Sequence, residues 1–203
     1  MKIFIAVPTF ETVTPDTFKS IYGLHRCGNW CVFDFVRGYD CATARNDIAR
    51  QAKAEQADYV FMVDSDIVLP SDALANLMEK PVDVCLGYYA HRTYGAWGGE
   101  VTVYRLGESD FTQQYTSADM AGMRANGINR VKVHGGGLGC ALVRVDAFDR
   151  LEFPYFDWVN YGNGALLGED TYFCDRCARA GIDIWVDTRV TCGHVMRRTE
   201  WAV

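Results

Sequence analysis

The chain has 203 residues, and a single hydrophobic core is the expected outcome at that length. Hydrophobic residues make up 49% and charged residues 23%, which excludes a disordered chain. With 20 basic against 26 acidic side chains the formal charge is −6, so a broad positive footprint for a polyanion is missing and extended nucleic-acid binding is disfavoured. A small anionic ligand stays compatible through local arginines or a bound cation.

The opening run from Met1 to Pro8 is too short for a signal segment, and no stretch approaches a membrane span. A cytoplasmic protein with no transmembrane segment is expected. Its eight cysteines are expected as reduced thiols, because the core needs no disulfide staples.

In chain order, residues 2–7 read as a buried strand that Pro8 ends. Thr14 and Pro15 then cap and open a helix over 14–24. Residues 30–36 read as a second strand, and Ala44, Ile48, Ala49 and Ala52 mark a helix over 41–55. The apolar run 59–63 has the character of a central parallel strand covered on both faces. Pro70-Ser71-Asp72 opens another helix, and 82–86 supplies a fourth strand.

From 88 to 130 glycines such as Gly95, Gly98, Gly99, Gly107, Gly122 and Gly127 loosen the pattern, as in a lid or binding loop. Order returns at Gly135-Gly136-Gly137-Leu138-Gly139, which leads into a strand through Val145 and a short helix from Asp146. A helix over 169–180 with Gly181 at its C-terminal cap and a short strand over 183–186 complete the order.

Asp64-Ser65-Asp66 stands at the carboxyl end of the third strand, where open α/β sheets bind ligands. Paired carboxylates there suit Mg²⁺ or Mn²⁺, while a solvated loop or a helix cap is the plainer reading. His194, just past the last strand, is a candidate third metal ligand or an ordinary hydrogen-bonded histidine. Glu169 and Asp170 open a helix, where acids complement the dipole; either is also a candidate base for an acceptor hydroxyl. Arg45 suits a diphosphate or a carboxylate near that base.

Pro8, Thr9, Phe10 and Glu11 follow the first strand and could recognise a nucleobase, although Phe10 is equally suited to a core. Gly137 and Gly139 allow close backbone approach, yet neither a P-loop nor a Rossmann fingerprint is present. Kinase and dinucleotide-dependent oxidoreductase readings lose their support. Cys174-x-x-Cys177 falls on a helix that reads as core, so structural zinc is not expected.

Taken in order, Val7-Pro8-Thr9, Ala44-Arg45-Asn46, Ala57-Asp58-Tyr59 through Asp66, Gly139 through Arg144, Gly168 through Cys174, and Ala180-Gly181 through His194 cover nearly the whole chain. They resemble a small glycosyltransferase family 2-like protein of the GT-A fold, of a type common in phage and prokaryotic genomes. The resemblance implies one α/β domain over 1–203, with a mostly parallel central sheet sandwiched by helices. About 1–90 form its nucleotide-sugar half and about 91–203 its acceptor and catalytic half.

It implies transfer of a hexose from a nucleotide sugar, with a UDP-hexose as the default donor, to a hydroxyl of a glycan, protein or other acceptor, with inversion. Pro8, Thr9, Phe10, Glu11, Arg45, Asp64, Ser65, Gly137 and Gly139 become the donor-binding set. Asp64, Asp66 and His194 become ligands of Mn²⁺ or Mg²⁺, and Asp170 becomes the base with Glu169 beside it. Arg197 and Arg198 either fold over the diphosphate or stay solvated. A non-catalytic sugar-nucleotide module and a nucleotidyltransferase are the competing readings, and a homo-oligomer is left open.

Overall fold

The computed structural model describes residues 1–91, 100–105, 113–160, 162 and 166–195. Arg197, Arg198, Gly95, Gly98, Gly99 and Gly107 lie outside the described residues. The first half runs β1 (Lys2–Thr9), α1 (Pro15–Tyr22), β2 (Trp30–Arg37), α2 (Cys41–Ala54), β3 (Tyr59–Val63), β4 (Ile67–Val68), α3 (Ala73–Met78) and β5 (Val84–Tyr88). Next come β6 (Glu100–Tyr104), β7 (Gln114–Thr116), α4 (Ser117–Ala125), β8 (Arg130–Val133), β9 (Gly135–Gly136), β10 (Cys140–Arg144) and a 3₁₀ segment over Val145–Arg150. The chain then continues through β11 (Val159–Asn160), β12 (Leu166–Leu167), α5 (Glu169–Arg179), β13 (Ile184–Thr191) and β14 (Gly193–His194).

A seven-stranded sheet in the order β2-β1-β3-β10-β5-β13-β8 forms the centre. β1 runs parallel to β2 and β3, and β13 to β5, as expected for an α/β sheet. β10 inserts antiparallel between β3 and β5, and β8 closes the far edge antiparallel to β13, so the sheet is mixed.

Strand alternation explains why the central runs are apolar throughout. Phe4, Ala6, Val60 and Met62 enter one core with Ile48, Phe148, Phe156 and Phe173. Ile3, Ile5, Val7, Phe61 and Val63 enter the other with Ile21, Leu74 and Leu77.

The helix starts follow their caps. Thr14 accepts a hydrogen bond from the Thr17 N–H at 3.2 Å, and Asp40 from the Thr43 N–H at 2.7 Å. Thr116 and Asp119 make a reciprocal capping box on α4.

Two boundaries differ from expectation. β1 continues through Pro8, because beyond Ala6↔Met62 it is accompanied only by β2, through Pro8↔Val36 and Thr9↔Arg37. A missing N–H is tolerated on such a one-sided stretch. β13 runs on to Thr191 because Asp187, fully buried, is satisfied in place by Arg189 Nε at 3.0 Å and Arg130 Nε at 3.3 Å. In the expected loose segment, β6, β7, α4 and β8 supply regular structure. None of the eight cysteines is in a disulfide, and Cys174 and Cys177 are buried as core.

Candidate active site

The carboxyl ends of β1, β3 and β5 lie on one edge of the sheet, and the residues just past them converge. Asp64 follows β3 and opens a turn closed by Ile67 N–H to Asp64 C=O at 3.1 Å. Its own N–H donates to the Gly139 carbonyl at 3.0 Å, a bond created by the insertion of β10 beside β3. Gly139 N–H in turn donates to the Tyr89 hydroxyl at 3.0 Å, and Tyr89 directly follows β5.

Glycine is required along this stretch by close packing rather than by an open seat. A Cβ on Gly139 would lie 2.7 Å from the Tyr89 hydroxyl and 2.9 Å from Asp64 Oδ2, and one on Gly137 would collide with the same hydroxyl. Gly135 leaves room for Cys174 of α5 in the same way, with a contact of 2.8 Å to its Cβ.

Arg45, one turn into α2 and 2% exposed, joins the two halves of the chain. Its Nη2 donates to Asp64 Oδ1 at 2.7 Å, and its Nη1 donates to Glu169 Oε1. Burial alone would lower the Arg45 pKa, but Asp64 and Glu169 outweigh it and push it up, so the guanidinium is held charged. Its Nε is buried with no hydrogen-bond partner among the described residues. Burial, with Asp64 adding to it, also pushes the Tyr89 phenol well up, which keeps it neutral.

Sequence reasoning placed Arg45 beside a diphosphate or a carboxylate; the structure gives it two carboxylates. The expected Asp64, Asp66 and His194 triad is accordingly not assembled. Among the described residues no three His, Cys, Asp or Glu side chains converge as a metal site, and Asp64 is drawn to Arg45, whose buried charge needs a counterion.

Asp66 and His194 do meet. β14 pairs with β4 through His194↔Ile67, and Val195 N–H donates to the Asp66 carbonyl at 2.9 Å. His194 Nδ1 lies 2.9 Å from the Ala90 carbonyl, which can only accept, so Nδ1 carries the proton. Nε2 faces Asp66 Oδ2 at 3.7 Å, and the ring stands edge-on to Tyr89 at 5.3 Å. An imidazole lone pair opposite a carboxylate repels it unless a proton or a cation lies between them. The donor set fits a hard divalent cation, and the anchored Nδ1 is the support that metal-ligating histidines use.

The remaining candidates surround this core. Thr9 at the end of β1 and the exposed Phe10 and Glu11 after it form the rim, and Phe10, at 65% exposure, is not a core residue. Pro8 is buried within β1, and the Ser65 carbonyl accepts from Thr14 N–H at 2.9 Å.

Asp170 is half-buried at the start of α5, with Oδ1 accepting from Thr171 N–H at 2.7 Å. Its carboxylate and the Trp158 ring both lie against Gly168. A groove of about 630 Å³ between α1 and the β4–β14 pair includes Lys19, Leu69 and His194 in its wall. Tyr89 was missed in the sequence; its position one residue past a central strand was the available signal.

No protein-family model matches the chain, and no curated protein sequence does so either. Solved structures are similar. A197 from STIV superposes with a TM-score of 0.63 at 18% identity, over 97% of this chain and 87% of that one. GalNAc-T7 with UDP, GalNAc and Mn²⁺ gives 0.64 at 10% identity, over 97% of this chain and 44% of that one. A Drosophila β-1,4-galactosyltransferase 7 mutant with manganese, UDP-Gal and xylobiose gives 0.53 at 19% identity, over 97% of this chain and 71% of that one. At these identities the likeness defines the fold: a single mixed α/β domain of the glycosyltransferase GT-A type.

Proposed function

We propose that the protein is a metal-dependent glycosyltransferase that moves a hexose from a nucleotide sugar, with UDP as the nucleotide, to an acceptor hydroxyl. The observation that carries this reading is the meeting of Asp66 and His194, Nε2 to Oδ2 at 3.7 Å, beside the carboxyl ends of the strands in a fold shared with structures that contain Mn²⁺ and a UDP nucleotide. Asp66 and His194 would hold Mn²⁺ or Mg²⁺, which when bound neutralises the diphosphate of the departing nucleotide. Thr9, Phe10 and Glu11 line the nucleoside side, Ser65 lies in the turn between the two carboxylates, and Gly137 and Gly139 floor the site. Asp64 is paired with Arg45 and lies over Gly139. Glu169, tied to Arg45, positions the start of α5, and Asp170 takes the proton from the attacking hydroxyl, which requires inversion at the sugar.

Calorimetric titration of UDP with and without Mn²⁺ tests the reading. Binding should appear with the metal and be lost in Asp66→Ala and His194→Ala; metal-independent binding, or none, would overturn it. A thermal-shift screen of nucleotide sugars with Mn²⁺ then names the donor, because a specific ligand stabilises by mass action. One observation favours a binding module without turnover: the Asp170 carboxylate is already engaged by Thr171 N–H. Release of UDP from the donor separates the two readings.

A further inference from the structure

The two edges of the central sheet are finished differently. β8 is four residues long, and its charged side chains are engaged: Arg130 with Asp187 and Lys132 with Asp183 at 2.6 Å. β2 at the other edge is eight residues long and exposes Phe33 and Phe35 on the face that carries α1. Phe33 and Phe35 meet edge-to-face at 4.8 Å, and Phe18 of α1 lies 6.3 Å from Phe35. Tyr22 at the end of α1 is 78% exposed, and Trp30 on the opposite face of β2 is 73% exposed. A long aromatic edge strand is the kind of surface that proteins normally blunt with charge.

We propose that β2 and α1 form a homodimer interface, with β2 of a second copy adding antiparallel to this edge. The exposed aromatic side chains alone supply about two thirds of a standard interface. At 150–250 Å² per full aromatic side chain, Phe18, Tyr22, Phe33, Phe35 and Trp30 together leave roughly 550 Å² exposed per copy, against about 800 Å² per partner in a standard interface.

The register follows from symmetry. A two-fold axis normal to the sheet keeps like faces together, so residues of equal parity meet across it. An axis at Asp34 would oppose two carboxylates, which is unfavourable. An axis at Phe33 instead sets the Phe33 rings against each other, Phe35 against Cys31 and Trp30 against Val36 of the second copy. Arg37 is paired with Thr9 on the rim of the candidate site, and this register carries the Arg26–Asn29 turn of one copy next to Arg37 and the 93% exposed Tyr39 of the other.

Sedimentation equilibrium on the whole chain tests this. The wild type should sediment at twice the monomer mass, and Phe33→Lys/Phe35→Lys at the monomer mass with an unchanged far-ultraviolet spectrum. A wild type that stays monomeric across a hundredfold concentration series, or a folded double variant that remains dimeric, would overturn it. Hydrogen exchange on the wild type reads the same interface without a mutation. Amides of β2 should slow as concentration rises while those of β8 do not, and equal behaviour at both edges would count against the dimer.

Discussion

At the scale of single residues, the candidate site is held together by one buried cation. Arg45→Ala should leave the buried Glu169 and the half-buried Asp64 without their cation and cost about 3 kcal/mol, read from denaturant unfolding. Arg45→Lys should recover only part of this, since one ammonium cannot fork to two carboxylates on different elements. A second residue-scale prediction concerns the glycine floor. Gly137→Ala should destabilise by about 1–3 kcal/mol through its clash with the Tyr89 hydroxyl. Tyr89→Phe should destabilise too, by depriving Gly139 N–H of its acceptor. The double variant should lose less than the two singles combined, because the offending oxygen is gone; strict additivity in a thermal or denaturant cycle would refute the contact. Asp64, Asp66, Glu169 and His194 were legible as candidates because each lies beside the end of an element whose type the sequence shows. The meeting of Asp66 with His194 was expected as well, whereas the capture of Asp64 by Arg45 was not. Arg45 meets partners 19 and 124 residues away, and only the strand order decides which carboxylate it reaches.

At the scale of elements, local chemistry was readable wherever it acts within a few residues. The Thr14 cap, the start of α5 and Gly181 at its end, with φ +68°, are of this kind. The capping box on α4 gives a further prediction. Thr116→Ala should cost about 1 kcal/mol and speed amide exchange in the first turn of α4 without touching α2. Hydrogen bonds from the backbone and side chain of Thr116 hold the Asp119 carboxyl below its usual value. A depressed folded pKa contributes stability above the ordinary carboxylate range and loses it as pH falls through the folded value. Protection of the α4 amides relative to their intrinsic exchange rates should therefore fall on acidification, and Asp119→Asn should remove that response. The boundaries of β1 and β13 were misjudged for a related reason: Pro8 and Asp187 look like breakers in the sequence, but a missing ladder on one side and two arginines on the other accommodate them.

At the scale of the molecule, the two apolar faces of the sheet were visible as continuous hydrophobic runs, which is why the α/β class was readable. The antiparallel insertion of β10 was not, since a strand's direction is set by the path of the connection before it. The net charge of −6 also changes meaning once the acids have places. Asp64 and Glu169 share the single charge of Arg45, and Asp66 faces His194, so the acids of the candidate site are partly paired within it.

The short β4–β14 ladder has a consequence for how this chain comes into being. Asp66 and His194 stand 128 positions apart, and what holds them together is pairing between two-residue strands. During synthesis the first three strands and α2 can assemble long before residue 194 emerges, so that part of the sheet precedes the meeting of Asp66 with His194. On the proposed function, a nascent or clipped chain ending before Gly193 should then fold around its two cores and fail to respond to Mn²⁺, which would make metal response a readout of completion rather than of folding.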